Sequence, residues 1–503
     1  MELHEYTIYE LLQSNAHQKG DQLAVISAEK SYTHAQFLER VDQLAAGLAA
    51  QGITKGDRLC ILAQNSIAYL ELYGACAKTG AISYPVNWRL SPAEVKGVLD
   101  LADPQMIIVG MEHLPQLEGL DATQFGVCAL IGDAKRAEGF IPLSDLYISE
   151  IVEPADVSNT DPFAIISTAA VAGVARGAVL THKNLLTAGD QIVNAVGLTE
   201  TDRHLAALPL FHITGLGLSL AVMQVGGANV VMEKFDPAQA VQLMDEHRVT
   251  LVADFPPILQ MLLDARQAAS AGASLESLKH VAGLDAPDTI QRLYAETNAK
   301  FWTGFGQSET SGLVTIGRVD EKPGSAGKPL PAAQVRCVNE AGQDVPVGQS
   351  GEIAVQGPLV FAGYWRDPDA TKFASRHGWH HTGDVGKFDE EGYLYYVGRK
   401  PEKELIKSGG ENIYPAEVEN AIAGMPAVAA VCVIGVPNEK WGEAVKAVIE
   451  LHPGQSLTPE DVSQYVADQI ASYKKPRLVE FVDELPRTES GEIDREAVKA
   501  AHA

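Results

Sequence analysis

The chain has 503 residues, of which 46% are hydrophobic and 21% charged. These proportions are ordinary for folded domains and argue against disordered, collagen-like and mucin-like classes. Lys and Arg number 39 and Asp and Glu number 65, which gives a formal net charge of −26. Such an acidic chain repels phosphate backbones, so we expect no nucleic-acid partner, although backbone amides and a few local cations can still bind a phosphate ligand.

We expect neither secretion nor a membrane span. The first residues, 1–5, lack a basic segment followed by an apolar one. The longest apolar stretch, residues 215–232, includes Gln224 and Asn229 and is interpreted as a buried core segment. The five cysteines show neither pairing nor metal-ligand spacing, which suits a reducing compartment. The expected location is therefore cytoplasmic.

The first 400 residues alternate helix-like and strand-like patterns. Apolar residues recur at helical spacing and are followed by short, continuous apolar runs that are typical of buried strands. Such alternation predicts parallel sheets covered by helices. The predicted elements are a helix over 35–51, a strand over 58–63, a helix over 66–78, a strand over 81–86, and further helix–strand pairs over 91–110 and around 237–253.

After about residue 320 short strands between Gly and Pro turns predict a β-rich subdomain, and a charged stretch with Pro401 predicts a linker. We therefore predict an α/β fold with a large N-terminal domain over 1–398, a hinge over 399–403 and a small α+β domain over 404–503. The predicted elements are strands over 333–338, 351–356, 393–397, 429–435 and 444–451, and helices over 415–424, 458–470 and 494–501.

Three motifs contain residue types that bind nucleotides. A strand followed by the small-residue segment 167–177 can bind phosphate, but a flexible surface turn is at least as common. In segment 305–310 a hydroxyl beside a carboxylate suits Mg²⁺ and a phosphate, whereas a capped loop is the alternative. Asp384 and Arg399 can hold a ribose and a phosphate, or can belong to a structural turn.

Two further segments are ambiguous by themselves. His212 lies in the apolar segment 208–215, and a lone histidine in such a setting is more often a core residue than a catalyst. Segment 407–415 is a glycine-rich loop in the small domain.

Together, and in this order, the five motifs are far more specific. The chain resembles the adenylate-forming superfamily of acyl-CoA synthetases, adenylation domains and beetle luciferases, from about residue 8 to 498, and is most similar to the fatty- and aryl-acid CoA ligases. Further matching segments are 351–353, 363–365 and 486–488, together with Gly491.

The resemblance implies two half-reactions, in which a carboxylic acid and ATP form acyl-AMP and CoA then displaces AMP, while a mobile small domain rotates between the steps. It implies ATP or AMP, Mg²⁺ and coenzyme A as ligands, a small carboxylic acid as partner, and allows a homodimer.

The resemblance also implies roles for individual residues. Phe305 would stack on adenine, Asp384 and Arg399 would hold ribose, and Glu309 would bind the metal. The implied catalytic residues are His212, Ser308, Glu309 and Lys407. The implied nucleotide-binding residues are Thr168, Arg176, Gly177, Leu284, Asp285, Ala286, Phe305, Gly306, Ser308, Asp384 and Arg399. The implied CoA-binding residues are Ser408, Gly409, Gly410 and Glu411, and the implied acyl-pocket residues are Phe211, His212, Phe255 and Gly304.

Three departures from the family pattern bear on function. The phosphate segment has Arg176 in place of lysine and Ala-Ala-Val-Ala over 169–172 in place of Ser, Gly and two Thr. Glu492 replaces the lysine that usually stabilises charge during adenylation, and Lys407, Lys474 or Lys475 would have to compensate. The hinge is about two residues longer, so its pivot falls on Pro401 or shifts to Glu402.

The sequence therefore predicts an AMP-forming acid–thiol ligase that acts on an apolar fatty, alicyclic or aryl acid, with adenylation impaired by Glu492 and the altered phosphate segment. The alternatives are a transferase that uses preformed acyl-AMP and a catalytically weak homologue that binds nucleotide or acyl-adenylate.

Overall fold

The fold is that of a computed structural model, which describes residues 5–132, 138–171, 174–269, 274–400, 405–438, 440–488 and 493–502. The helices are α1 (Ile8–Lys19), α2 (His34–Ala50), α3 (Ile67–Thr79), α4 (Pro92–Ala102), α5 (His182–Val196), α6 (Ile213–Gln224), α7 (Pro237–Glu246), α8 (Ile258–Ala268), α9 (Pro287–Glu296), α10 (Pro368–Ala374), α11 (Pro415–Ala423), α12 (Pro459–Gln469) and α13 (Arg495–His502). The strands of the first 320 residues are β1 (Leu23–Ile26), β2 (Ser31–Thr33), β3 (Arg58–Leu62), β4 (Ile82–Pro85), β5 (Met106–Gly110), β6 (Val127–Ile131), β7 (Ile141–Pro142), β8 (Pro162–Val171), β9 (Val174–Thr181), β10 (Arg203–Ala206), β11 (Ala228–Val231), β12 (Leu251–Asp254), β13 (His280–Gly283), β14 (Lys300–Gln307) and β15 (Gly312–Arg318). The remaining strands are β16 (Lys328–Pro329), β17 (Gln334–Val338), β18 (Gly351–Gln356), β19 (Gly363–Tyr364), β20 (His380–Phe388), β21 (Leu394–Arg399), β22 (Ile406–Ser408), β23 (Glu411–Ile413), β24 (Val428–Asn438), β25 (Gly442–Leu451) and β26 (Leu478–Val482).

Two large sheets form the body of the protein. One has the strand order β16-β15-β14-β13-β12-β10-β11-β1-β2 and the other β19-β9-β8-β4-β3-β5-β6-β7. Their central strands are parallel, and antiparallel strands lie only toward the edges. Strands such as β3 and β5 are buried along almost their whole length, because helices cover both faces of a parallel sheet.

A third, antiparallel sheet in the order β17-β18-β20-β21 follows in the chain. It positions functional side chains by register, because Asp384 on β20 is the direct partner of Arg399 on β21. The fourth sheet lies after residue 404, in the order β23-β22-β25-β24 with β26 beside β25. It packs against α11 and α12 around a separate apolar core that includes Val418, Val433 and Val462.

The predicted α/β fold class is confirmed, and each helix and strand named from the sequence occurs within one to three residues of its predicted bounds. The apolar stretch 215–232 contains most of α6 and all of β11, and nearly all of it is buried. Among the described residues no helix is long and apolar enough to cross a membrane.

Segment 167–177 differs from the prediction of a strand that leads into a phosphate-binding loop of small residues or a flexible surface turn. The strand continues to Val171 and pairs antiparallel with β9, with Thr168 opposite Arg176. A hairpin partner satisfies the backbone groups of this segment, so small side chains do not oblige it to be a loop. Three of the segments discussed from the sequence lie outside the described residues: 172–173, the predicted hinge with Pro401 and Glu402, and the segment with Glu492. The domain boundaries stay a prediction.

Candidate functional site

A cavity of about 1490 Å³ lies at the carboxyl ends of β12, β13 and β14 and extends to the residues of the fourth sheet. Ligands of open α/β sheets bind at this edge, because the parallel strands end there in loops. Most of the residues that the sequence predicted for the site share this one cavity. They are Thr168, Arg176, Phe211, His212, Phe255, Leu284, Asp285, Ala286, Gly304, Gly306, Ser308, Glu309, Asp384, Arg399, Lys407, Gly409, Gly410 and Glu411.

Three of the predicted residues do not line the cavity: Gly177, Phe305 and Ser408. Alternate residues of a strand face opposite ways, so Gly304 and Gly306 border the cavity while Phe305 packs into the core at 7% exposure. The ring of Phe305 stacks behind Tyr396, with 6.4 Å between ring centroids. Tyr396 is 43% exposed and lines the cavity, so the aromatic surface offered to a ligand there is Tyr396.

Asp384 and Arg399 form a buried ion pair on adjacent strands. Arg399 Nε lies 2.8 Å from Asp384 Oδ1, and Asp384 is 2% exposed. The Gln307 amide donates to the other carboxylate oxygen, and the Tyr396 hydroxyl donates to Oδ1 at 3.3 Å. Antiparallel register creates the pair, because the two residues are directly opposed across the hairpin.

Glu309 lies in a short turn, residues 308–310, directly after β14. It is 8% exposed, and its Oε1 accepts a hydrogen bond from the Tyr364 hydroxyl at 2.8 Å. The Arg176 guanidinium lies over the Tyr364 ring and is paired with Asp367 at 3.0 Å. The cation predicted to bind phosphate is therefore already engaged by a carboxylate.

A magnesium ion is compatible with this arrangement. Mg²⁺ is usually held by one or two carboxylates together with substrate phosphates, rather than by a complete protein cage. Glu309 supplies such a carboxylate on the cavity wall, and no cluster of three or more His, Cys, Asp or Glu side chains suited to a metal occurs among the described residues.

The glycine-rich segment forms a tight hairpin that points into the cavity. Ser408 pairs with Glu411, and the two residues between them, Gly409 and Gly410, both have positive φ angles of 59° and 82°. Two-residue turns of this kind require left-handed backbone at both central positions, which glycine adopts without strain. The hairpin brings Gly410 against Phe255, where an added Cβ would lie 3.6 Å from the phenylalanine side chain.

Glu411 connects the small domain to the large one. Arg89 pairs with its carboxylate, and His212 Nε2 lies 3.6 Å from the same oxygen, Oε1. Burial alone would raise the pKa of Glu411, but His212 and Arg89 lower it overall, so the group is held as a carboxylate. His212 is the residue before α6 and its side chain does not cap the helix, which lets the ring face Glu411.

A second set of ion pairs also joins the small domain to the large domain. Lys474 is 4% exposed and lies 2.6 Å from Glu94 of α4 and 2.9 Å from Glu417 of α11. The Ala471 amide also donates to Glu94 at 2.9 Å. Of the three lysines named as substitutes for the residue at position 492, Lys474 is therefore fully paired.

Lys407 is the cation best placed to act inside the cavity. Its ammonium group lies 5.8 Å from the centre of the Tyr396 ring, and no carboxylate of the described residues lies within ion-pair distance. The surrounding protein and the neighbouring Arg399 lower its pKa. A lysine in such surroundings attracts an anionic ligand that neutralises it.

Several site residues were not found from the sequence. Arg89, Gln307, Tyr364 and Tyr396 contribute through contacts between distant segments. Gln307 and Tyr364 lay in motifs that the sequence analysis quoted, but it assigned neither of them a role. Ser311 also lines the cavity, and its hydroxyl has no hydrogen-bond partner among the described residues. Unpaired hydroxyls on a cavity wall suit a polar ligand.

Comparison with known proteins identifies the family of this chain. Residues 12–365 match the family model described as AMP-binding enzyme, and residues 417–492 match that of the AMP-binding enzyme C-terminal domain. A feruloyl-CoA synthase from Amycolatopsis sp is 37% identical over 93% of this chain and 94% of its own. An indoleacetate–CoA ligase from Aromatoleum aromaticum is 34% identical over 95% of this chain and 94% of its own.

The fold is also that of a solved o-succinylbenzoate CoA synthetase from Bacillus subtilis, 27% identical over 99% of both chains. A double mutant of that enzyme bound to a CoA product analogue matches with a TM-score of 0.86, and the enzyme with its acyl-adenylate intermediate matches with 0.71. This chain therefore belongs to the AMP-binding enzyme family. The predicted acyl-CoA synthetase branch and the predicted enzyme class, an AMP-forming acid–thiol ligase, are confirmed.

Proposed function

We propose that the protein joins an apolar carboxylic acid to coenzyme A in two steps, through an acyl-AMP intermediate that forms and reacts in the cavity. The observation that carries the proposal is that the Glu411 hairpin and the Asp384–Arg399 pair open into the same cavity. A nucleotide site and a thiol entrance that share one space allow the intermediate to react where it forms.

In the first step the acid attacks the α-phosphate of ATP and pyrophosphate leaves. Asp384 would accept from the ribose hydroxyls while Arg399 keeps its carboxylate oriented, and Tyr396 offers an aromatic face to the base. Mg²⁺ bound by Glu309 would neutralise phosphate charge. Ser308, on the turn before Glu309, would donate to the α-phosphate, since positioning and charge neutralisation supply most of the catalysis of phosphoryl chemistry.

In the second step the CoA thiol attacks the acyl carbonyl, and AMP leaves. The Gly409–Gly410 turn and Glu411 would border the path of the thiol, with His212 at the junction with the acid. The arrangement described here is the one we assign to this step. The higher TM-score to the relative bound to a CoA product analogue supports that assignment.

The acid is proposed to be aryl or fatty. The part of the cavity between α5, α6, β14 and β15 is lined by apolar side chains, among them Ile192, Leu218, Trp302 and Leu313. Relatives that act on ferulate and indoleacetate support an aryl ring there. With nothing within 4 Å of a Cβ built on Gly217, this wall leaves room for a ring or a chain.

A second candidate is a transferase that takes preformed acyl-AMP and performs only the second step. The pairing of Arg176 with Asp367 favours it, because the phosphate segment then lacks an unpaired cation as well as the usual hydroxyls. Glu492 favours it too, since it would bring a negative charge where the family has a lysine.

The test measures the two half-reactions separately, with a panel of aryl and fatty acids. One assay follows pyrophosphate released from acid and ATP, and the other follows thioester formed from synthetic acyl-AMP and CoA. Each is repeated with Glu492→Lys and with Glu460→Lys, a matched control that makes the same change of charge elsewhere in the predicted small domain.

Comparable rates in both assays would support the ligase. A slow first step that Glu492→Lys accelerates about 100-fold, without effect of Glu460→Lys, would support the transferase. Failure of both assays with every acid would contradict both candidates.

A further inference from the structure

Two aspartates stand where two loops of the cavity begin. Asp254 ends β12, and Asp285 follows β13 by two residues. Because the strands are parallel neighbours, with Asp254 paired to Gly283, their carboxyl ends bring the two side chains together. The loop after Asp254 carries Phe255 on the proposed acid side, and the loop around Asp285 lies on the proposed nucleotide side.

Asp254 is fully buried and Asp285 is partly buried, with its Oδ2 atom turned away from solvent, and both carboxyl groups are short of donors. Asp254 is 0% exposed, and its Oδ1 accepts from the Leu259 amide at 3.0 Å, while Asp285 Oδ1 accepts from the Ala286 amide at 2.6 Å. Neither Oδ2 atom has a donor at hydrogen-bond geometry among the described residues, and the pairing of β12 with β13 places the two carboxyl groups side by side. Two buried acceptors in contact need a proton between them, because two ionised carboxylates this close cannot both be stabilised.

We propose that Asp254 and Asp285 share one proton, and that the resulting hydrogen bond makes them positioning residues that hold the acid-facing loop against the nucleotide-facing loop. The proposed function supplies the identity of the two ligands on which this inference rests. A backbone bond reinforces the junction, since the Leu284 amide donates to the Asp254 carbonyl at 3.2 Å. Gly283 makes that approach possible, because a Cβ there would lie 1.8 Å from the carbonyl oxygen.

The shared proton makes the junction sensitive to pH. Burial raises the pKa of both carboxyl groups, and the neighbouring Asp285 raises that of Asp254 further. The other groups that act on the pair are neutral: the amides of Leu259 and Ala286 and the hydroxyl of Thr289. A carboxyl with a raised pKa keeps its proton below that value, so the bond is present at lower pH and is lost as the pH rises through it.

The test compares the wild type with Asp254→Asn, which keeps a donor toward Asp285 but does not titrate, and with Asp254→Ala, which removes the bond. Asp264→Asn, an exposed position on α8, is the matched control. Three quantities are measured from about pH 6 to about pH 10: KM for the acid, Kd for AMP by calorimetry, and the thermal midpoint Tm.

For the wild type we expect KM and Kd to rise about tenfold on the alkaline side, and Tm to fall relative to Asp254→Asn. Asp254→Asn should show no alkaline rise, and Asp254→Ala should show raised KM and Kd at every pH. An alkaline rise in Asp254→Asn equal to that of the wild type would overturn the shared proton. Normal KM and Kd in Asp254→Ala would overturn the positioning role. Because Tm needs no ligand and AMP binding needs no acid, the shared proton is tested even if no acid is turned over and the proposed function fails.

Discussion

At the scale of single residues, the Asp384–Arg399 pair predicts how a substitution changes the kinetics with ATP. Asp384→Asn keeps the shape of the side chain but removes the charge that orients Arg399 and accepts from a ribose. Loss of a hydrogen bond to a charged group costs about 1.5–3 kcal/mol, so kcat/KM for ATP should fall roughly 10- to 100-fold.

Steady-state kinetics with ATP as the varied substrate measure this effect. The matched control is Asp389→Asn, which lies at the far end of the same β20–β21 hairpin and pairs with the surface residue Lys322. A fall of equal size in the control would contradict a specific role for Asp384.

Ser311 combines two unfavourable features in one residue. Its φ angle is 53°, a left-handed conformation that is strained for a residue with a Cβ, and its buried hydroxyl has no partner among the described residues. Ser311→Gly relieves both, so we expect the free energy of unfolding to rise by about 1 kcal/mol. Urea unfolding measures the change, with Ser311→Ala, which keeps the backbone strain, as the comparison. A Gly variant less stable than the Ala variant would contradict the strain argument.

At the scale of helices and strands, two glycines in helices should respond in opposite directions to alanine. Gly47 of α2 faces the backbone of Leu146, and an added Cβ would lie 1.9 Å from that carbonyl oxygen. Gly97 of α4 is exposed, with nothing within 4 Å of an added Cβ.

Gly47→Ala should therefore lower the free energy of unfolding by about 2–3 kcal/mol, because α2 must move away from residue 146. Gly97→Ala should raise it by about 0.5–1 kcal/mol, because alanine favours helix more than glycine does. Chemical denaturation of both variants measures the change in the free energy of unfolding. An equal change in both variants would show that helix propensity alone determines the stability at both positions.

Glu352 of β18 makes the third sheet dependent on pH. Burial alone would raise the pKa of this carboxyl, but His381, Lys400 and Arg376 lower it to about 2. A lowered pKa gives stability that is present above the ordinary value and lost as the pH falls toward 2, and it amounts to at most about 3 kcal/mol.

Glu352→Gln should therefore be less stable near neutral pH and should lose less stability on acidification. Thermal unfolding between about pH 7 and about pH 3 measures this difference. An unchanged loss of stability on acidification would contradict the role of Glu352.

The elements were predictable from the sequence to the extent that local patterns decide them. The α2–β3 and α3–β4 segments alternate helical and strand periodicity, and the structure agrees with both. The β8–β9 hairpin was predicted as a strand followed by a small-residue loop or turn, because small residues indicate turns locally while strand pairing is a non-local effect. For the same reason Arg89 and Tyr396 were missed: each meets its site partner through the tertiary fold, and neither stands in a motif. Phe305 was placed correctly on a strand, but only the sheet decides which face of that strand is buried.

At the scale of the whole molecule, charge holds the two domains in the described arrangement. Arg89 and Glu94 lie on the large domain, and Glu411, Glu417 and Lys474 lie on the small one. Arg89 pairs with Glu411 and Lys474 pairs with Glu94 across the domain boundary, and Lys474 also pairs with Glu417 within the small domain. Because breaking one member of a buried pair leaves its partner unpaired, this arrangement opens only if the charges exchange partners or become hydrated.

The pairing of charges inside the cavity has a kinetic consequence. Arg89, Arg176, Arg399 and Lys474 are each neutralised by a carboxylate, so the cavity does not offset the net charge of −26. A polyanion such as CoA therefore approaches against long-range repulsion, and added electrolyte shortens the range of that repulsion.

We expect the bimolecular association rate constant for CoA, measured by stopped flow, to increase with ionic strength. The rate constant for pantetheine, which lacks the phosphates, should not change with ionic strength. A decrease for CoA would mean that Lys407 and its neighbours attract the incoming anion, so that CoA would associate fastest at low ionic strength.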